Sequence, residues 1–298
     1  MSRPAPAPGD DPRLAAAVRA EQHAIRDAYP GLLSRMLAEW AAATPDDPAA
    51  WLAYAGSYLF ATGPVRWAVD PPPLSRVAPR PDFEELCRAF DGAAAILLTH
   101  AHEDHFCTPV LGALRDLPAR WVMPEFLVRR AVDDAGLPPE RIAVASPREP
   151  LEIEGLTITA FEGLHRQQPP NGAGPPTGLD ATGYLVEAAG RRLLLPGDTR
   201  TYDATALPAL GPVDWLFALV WLGRGAALKA APPLLDAFAI FLADLQPRSV
   251  ALTHLWEVGR APADYWTGRH AALVEGRLRL LRPSLRIVTP ALGDRLAL

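Results

Sequence analysis

Apolar positions along the chain fall into two textures. From Leu14 to about Ala43, the residues Val18, Ile25, Tyr29, Leu32, Leu33, Met36, Leu37 and Trp40 recur at helical spacing. Pro30-Gly31 interrupts that spacing, so it predicts two helices rather than one. Beyond Trp51 the runs become short and strand-like. WLAYAGSYLF and VRWAVD are joined by the hairpin-like ATGP. AAAILLT (93–99), RWVM (120–123), RIAV (141–144), LTITAF (156–161), TGYLVE (182–187), RRLLLP (191–196), VDWLFALV (213–220), RSVALT (248–253) and LRIVT (285–289) follow. Helical patterns lie between several of them. The clearest is PPLLDAFAIFLADLQP, with Leu234, Phe238, Phe241 and Leu245 on one face. Strands mixed with helices predict a layered α/β or α+β architecture. No internal repeat of short fixed period is visible.

One strand-like run ends abruptly in polar residues. ILLTHAHEDHF (96–106) places His100, His102, Asp104 and His105 just past an apolar strand, in a chain with only seven histidines. Residues two apart in extended backbone point the same way, so His100 and His102 aim at one point. Thr108-Pro109 has the form of an N-cap and first helical residue, which ends the turn. Imidazole and carboxylate together suit zinc and neighbouring divalent ions. Other apolar runs end similarly: LLLPGDT in Asp198, SVALTH in His254 and, more loosely, TITAFEGLH in His165. Donors at the ends of several strands are expected where loops converge on a site. His23 and His270 fall outside this layout and are expected to be surface or packing residues.

Together these motifs resemble the metallo-β-lactamase-fold hydrolases of the two-metal type. The HxHxDH signature stands as His100-Ala101-His102-Glu103-Asp104-His105, and Asp70 in WAVDP matches the first family motif. His165, Asp198 and His254 match the later positions in order. The resemblance covers about residues 51–298 and implies a four-layer αββα sandwich. That makes residues 13–50 a helical extension and 1–12 a disordered tail. The extension is expected to pack on the main domain, with a lid or a homo-oligomer contact as alternatives.

Carried over, the resemblance implies one metal held by His100, His102 and His165, and a second by Asp104, His105 and His254, with Asp198 bridging. It implies two divalent ions, zinc first and manganese or iron as alternatives, that generate a hydroxide nucleophile. Asp104 and Asp198 are then the catalytic carboxylates, and Asp70 and Thr99 orient ligands from behind. Glu103 alternates away and is expected in solvent.

Composition refines the expectation. A net charge of −5 argues against a general nucleic-acid surface, so the expected partner is a small molecule. Two cysteines, Cys87 and Cys107, are too few for a disulfide framework. With no apolar segment in MSRPAPAPGDDP and no membrane-length run, the chain reads as cytoplasmic. Asp198 stands where antibiotic-hydrolysing relatives commonly carry cysteine, which favours the lactonase, thioesterase and phosphodiesterase branches, with the ascorbate-phosphate lactonases preferred. Arg166, Arg200, Trp221, Arg224 and Trp256 adjoin the motifs and are candidate substrate contacts. The Pro/Gly-rich loop after His165 is a candidate pocket wall. The expected activity is hydrolysis of a small ester, lactone or phosphodiester that carries an anionic group. The alternatives are iron-dependent oxidoreduction on the same fold and a metal-binding scaffold without activity.

Overall fold

The N-terminal pattern folds as one helix, α1 (Pro12–Ala41), in the computed structural model, which describes residues 12–78, 81–167 and 175–298. The break expected at Pro30-Gly31 is absent, because residues on both sides of Pro30 are anchored to one surface. Tyr29, Leu33, Met36, Leu37 and Trp40 are buried. The Tyr29 hydroxyl donates to the Ala53 carbonyl at 2.9 Å and Trp40 Nε1 donates to the Phe60 carbonyl at 2.8 Å. This packing outweighs the roughly 3 kcal/mol that an interior proline costs. The tail expected at 1–12 lies outside the described residues except for Pro12, which is helical.

WLAYAGSYLF turns out to be a hairpin rather than one strand. β1 (Ala49–Tyr54) and β2 (Ser57–Thr62) pair antiparallel and reverse at Ala55-Gly56. β3 (Val65–Val69), the short α2 (Leu74–Val77), α3 (Phe83–Phe90) and β4 (Ala95–Leu97) follow. After them come α4 (Thr108–Leu114), β5 (Arg120–Met123), α5 (Glu125–Asp133) and β6 (Ile142–Val144). Cys107, not Thr108, occupies the N-cap of α4, so the helix begins one residue earlier than its sequence suggests.

The second half comprises β7 (Pro150–Ile153), β8 (Leu156–Glu162), β9 (Thr182–Ala188), β10 (Arg191–Leu195) and β11 (Trp215–Leu219). Then come α6 (Leu235–Asp244), β12 (Ser249–Thr253), α7 (Gly268–Leu281), β13 (Arg286–Val288) and β14 (Arg295–Ala297). β7 and β14 were not anticipated. Both are sheet edges with mostly exposed residues, so the neighbouring strand and not an apolar run defines them.

The strands form two seven-stranded sheets, ordered β14-β1-β2-β3-β4-β5-β6 and β13-β12-β11-β10-β9-β8-β7. Alternate side chains of each strand enter different cores. In the first sheet Leu52, Tyr58, Phe60, Trp67 and Val69 face the second sheet, where they meet Tyr184, Val186, Trp215 and Phe217. Trp51, Leu59 and Ala68 instead face the helices α1 and α3, together with Trp40 and Phe90. Leu216, Val250 and Leu252 of the second sheet pack under α6 and α7. Both faces of each sheet are therefore covered, which explains why β1, β2 and β11 are buried at every position rather than alternating. The layers are αββα, as the sequence implied.

Within each sheet β3 to β6, and β10 to β13, run parallel. Their C-terminal ends therefore share an edge. β8 joins that edge in the second sheet, because two successive antiparallel pairings, β8 with β9 and β9 with β10, restore its direction. The two sheets are tied together there: Thr182 N donates to the Thr99 carbonyl, the Tyr184 hydroxyl to the Leu98 carbonyl and His254 N to the Ala55 carbonyl.

Candidate metal centre

Every donor named from the sequence emerges at this shared edge. Asp70 follows β3, His100 to His105 follow β4, His165 follows β8, Asp198 follows β10 and His254 follows β12. They gather into two groups, His100, His102, His165 and Asp198 on one side and Asp104, His105 and His254 on the other; within each group the donor atoms lie within 4.8 Å of one another. Asp198 faces both groups. Its Oδ2 lies 3.9 Å from His100 Nε2, while Oδ1 lies 3.4 Å from His105 Nε2 and 3.6 Å from His254 Nε2. Asp104 Oδ2 stands 3.5 Å from His105 Nε2 and 3.6 Å from His254 Nε2.

The backbone is bent to make this possible. Asp70, His254 and Trp256 take positive φ angles of 46°, 66° and 55°. Each such non-glycine conformation costs on the order of 1–3 kcal/mol and persists only where surrounding structure enforces it.

Hydrogen bonds behind the donors set their tautomers. The Asp70 carboxylate accepts from Thr99 N at 2.8 Å, from Thr99 Oγ1 at 2.6 Å and from His105 Nδ1 at 2.7 Å. Thr99 Oγ1, having donated its proton to Asp70, accepts from His100 Nδ1 at 3.0 Å. His100 and His105 thus hold a proton on Nδ1 and turn Nε2 toward the centre. His165 differs. Leu179 N donates to its Nδ1 at 2.8 Å, which leaves the proton of the neutral ring on Nε2. Coordination through that nitrogen requires the proton to move and the Leu179 contact to loosen.

The electrostatics divide along the same line. Burial, followed by neighbouring positive charge, holds His100 below its ordinary pKa, and burial chiefly lowers His102 and brings His165 to about 4. Burial also opposes charge on His105 and His254, but the adjacent carboxylates Asp104, Asp198 and, for His105, Asp70 outweigh it and raise both. Reciprocally, Asp104 and Asp198 are held well below the usual carboxylate range despite burial.

Several of these atoms have no hydrogen-bond partner although they are buried: Asp104 Oδ2, His105 Nε2, His165 Nε2, Asp198 Oδ1, His254 Nδ1 and His254 Nε2. A buried orphan costs about 1–3 kcal/mol. So many of them converging on one spot is what a pair of cation sites requires, and the donor set of imidazoles and carboxylates fits divalent ions.

The candidate substrate contacts divide. Arg200 and Arg224 line a cavity of about 290 Å³ over the centre, with Arg76, His102, Glu103, Asp104 and Arg260. Trp221 is buried beneath Arg200, whose guanidinium sits 4.8 Å over its ring. Trp256 packs against Gly268 and the outer core of the second sheet instead of lining that cavity. Arg166 pairs with Asp180 at 2.7 Å and borders a separate, more apolar cleft of about 550 Å³ lined by Phe126, Val144, Leu164 and Leu179. The larger cleft holds none of the donors, so the smaller one is the mouth of the centre. Residues 168–174 of the Pro/Gly-rich loop, named as a pocket wall, lie outside the described residues.

Sequence reasoning missed Arg76 and Arg260, which meet at Glu257, a residue the sequence marks only as adjoining His254. Glu257 Oε2 accepts from Arg260 Nε at 2.5 Å and lies 3.8 Å from His254 Nε2. A loop that folds back after His254 brings in Glu257 and Arg260, α2 brings in Arg76, and no strand pattern announces either. His270 caps its own helix with Thr267 and meets the Ala227 carbonyl at 2.8 Å, as a packing residue would, while His23 and Glu103 are exposed.

The fold recurs in solved structures. A metallo hydrolase, Igni18, from the hyperthermophilic archaeon Ignicoccus hospitalis superposes with a TM-score of 0.59 at 16% identity, over 84% of this chain and 98% of the other. An isothiocyanate hydrolase from Delia radicum gut bacteria gives 0.57 at 17%, over 84% and 98%. The diiron β-hydroxylase CmlA from Streptomyces venezuelae gives 0.59 at 18%, over 86% of this chain and 55% of the other. No curated protein matches the sequence. The family model described as the beta-lactamase superfamily domain matches residues 68–255, which span the strand ends from Asp70 to His254. The chain belongs to the beta-lactamase superfamily domain family.

Proposed function

We propose that the protein is a dinuclear metal-dependent hydrolase of a small ester, lactone or phosphodiester that carries an anionic group. One observation carries the reading: the two oxygens of Asp198 face opposite donor groups, and Asp198 Oδ1, Asp104 Oδ2, His105 Nε2, His165 Nε2 and His254 Nε2 are buried there without protein partners. His100, His102 and His165 would hold one cation and Asp104, His105 and His254 the other, with zinc the expected metal. When bound, such a pair acidifies water at neutral pH and polarises the carbonyl or phosphoryl oxygen under attack.

The chain's own residues do the rest. Asp70 and Thr99 fix the tautomers of His105 and His100, so that neither ring must reorient. Asp104, held strongly acidic by His105 and His254, orients the attacking water by accepting a hydrogen bond rather than its proton. Arg200 and Arg224 draw in the anionic part of the substrate. The apolar cleft beside His165 suits an uncharged remainder.

Elemental analysis of the purified protein, followed by turnover of ester, lactone and phosphodiester panels, tests the reading. We expect about two divalent ions per chain and hydrolysis of at least one substrate class, lost in Asp104→Ala. Fully loaded protein inert on all three panels would overturn it. Iron in place of zinc, with a visible absorption band, would move the chain toward the chemistry of the diiron relative.

A further inference from the structure

The wall over the metal centre is built from four arginines that belong to four different segments. Arg76 sits in α2, Arg200 follows Asp198, Arg224 lies in the loop after β11 and Arg260 lies in the loop after His254. Two of the four already have a carboxylate partner. Arg260 and Arg76 share the buried Glu257, at 2.5 Å and 3.4 Å. Their loop is also tied down from below: Gln22 of α1 donates to the Arg260 carbonyl at 2.8 Å and accepts from Gly259 N at 3.2 Å, and Arg76 Nε donates to the Val258 carbonyl at 3.2 Å. The N-terminal helix thus reaches the active-site wall.

The other two arginines have no carboxylate within 4 Å among the described residues. Arg200 is held over Trp221, its backbone N donates to the Leu164 carbonyl at 2.8 Å, and its buried Nε has no hydrogen-bond partner. Arg224 is exposed between Gly223 and Gly225, and the adjoining Gly225 N is fastened to Asp264 Oδ1 at 2.6 Å. Two guanidinium groups are therefore left facing one cavity, that of Arg200 held by its stacking on Trp221.

Building on the hydrolase reading, we propose that this cavity is a phosphoryl subsite in which Arg200 and Arg224 grip a phosphomonoester dianion of the substrate, with Arg260 and Arg76 as the fixed positive wall behind it. Two cations without an ion-pair partner match a phosphoryl group, which brings nearly two negative charges and three acceptor oxygens. A carboxylate brings one charge and two oxygens and leaves half of the donor set unused. The buried orphan on Arg200 needs the additional acceptor that the phosphoryl group supplies.

Titration calorimetry of the zinc-loaded protein with inorganic phosphate and with acetate tests this, because it reads binding independently of turnover. We expect phosphate to bind at least about tenfold more tightly than acetate. Arg224→Ala, at an exposed position that the fold does not need, and Arg200→Ala should each weaken phosphate by about tenfold or more with metal content unchanged. Arg224→Lys should recover part of the loss, and Arg129→Ala, remote on α5, should change nothing. Wild-type phosphate affinity in Arg224→Ala would overturn the proposal, since phosphate would then be held by the cations alone. Equal affinity for acetate and phosphate would overturn it as well. Arginine-dependent phosphate binding in a protein that turns over no substrate would instead remove the hydrolase reading and leave the anion site standing.

Discussion

The two halves of the molecule share one layout and use it differently. β1 to β6 and β8 to β13 each run as two antiparallel pairings followed by three parallel ones, with β14 and β7 added antiparallel at the corresponding edges. Asp70 after β3 and Asp198 after β10 are topological counterparts. Asp70 is withdrawn behind His105, where three donors surround it. Asp198 stands in front, with its oxygens between the donor groups. The first half also delivers four donors from one continuous loop, whereas the second delivers them singly from three strand ends. A common topology thus places a carboxylate at a given strand end, and the hydrogen bonds around it decide between supporting a ligand and being one.

Exchanging or deleting the counterparts tests that distinction. Asp198→Ala should have the largest effect, because both donor groups lose their shared carboxylate: bound metal should fall from about two ions to one or fewer, as read by elemental analysis, and hydrolysis should vanish with it. If two ions remained, Asp198 would not lie between them. Asp70→Ala should be milder. The His105 and Thr99 orientation is lost while every ligand remains, so metal affinity should drop about 10–100-fold in a chelator competition; an unchanged affinity would mean that the ring is fixed by packing alone.

Glycines that leave room for a histidine provide the next comparison. Gly56, in the β1–β2 turn, would bring a Cβ to 2.8 Å from His105 Cε1, and Gly178, at φ +98°, would meet the His165 carbonyl. Gly178→Ala adds backbone strain to the clash, so we expect it to cost about 1–3 kcal/mol and more than Gly56→Ala, compared by thermal denaturation of the metal-free proteins. Equal losses would show that the contacts, not the φ angle, dominate.

The smallest effect concerns protons. Neighbouring carboxylates raise His105 and His254, which favours their charged form in metal-free protein, while burial lowers His100, His102 and His165 toward the neutral form. Metal entering the first pair therefore competes with protons more than metal entering the trio. Calorimetry in buffers of different ionisation enthalpy should show greater net release in one binding step than in the other, and release that shrinks as pH rises. Equal release in both steps would contradict the assigned charges.

Much of this was legible along the chain. Strand-type runs such as RWVM and RRLLL fold as β5 and β10, since strands buried on both faces carry consecutive apolar residues, here residues 121–123 and 193–195. No helix among the described residues is long and apolar enough to cross a membrane, in line with the absence of such a run. The Pro30 break failed because a local preference of a few kcal/mol yields to a helix face anchored by Tyr29 and Trp40. β7 and β14 were invisible because an edge strand is defined by its neighbour's unpaired backbone groups.

The donor types and their order at strand ends were set by covalent sequence alone, since alternation and strand termination are local properties of the backbone. Which donors share a cation, that Asp198 turns one oxygen to each side, and that Arg76, Arg260 and Gln22 meet beside Glu257 were decided only by the packing of two sheets edge to edge. Those contacts join residues far apart in the chain, and their geometry depends on sheet pairing and loop return, which no local pattern of side chains encodes.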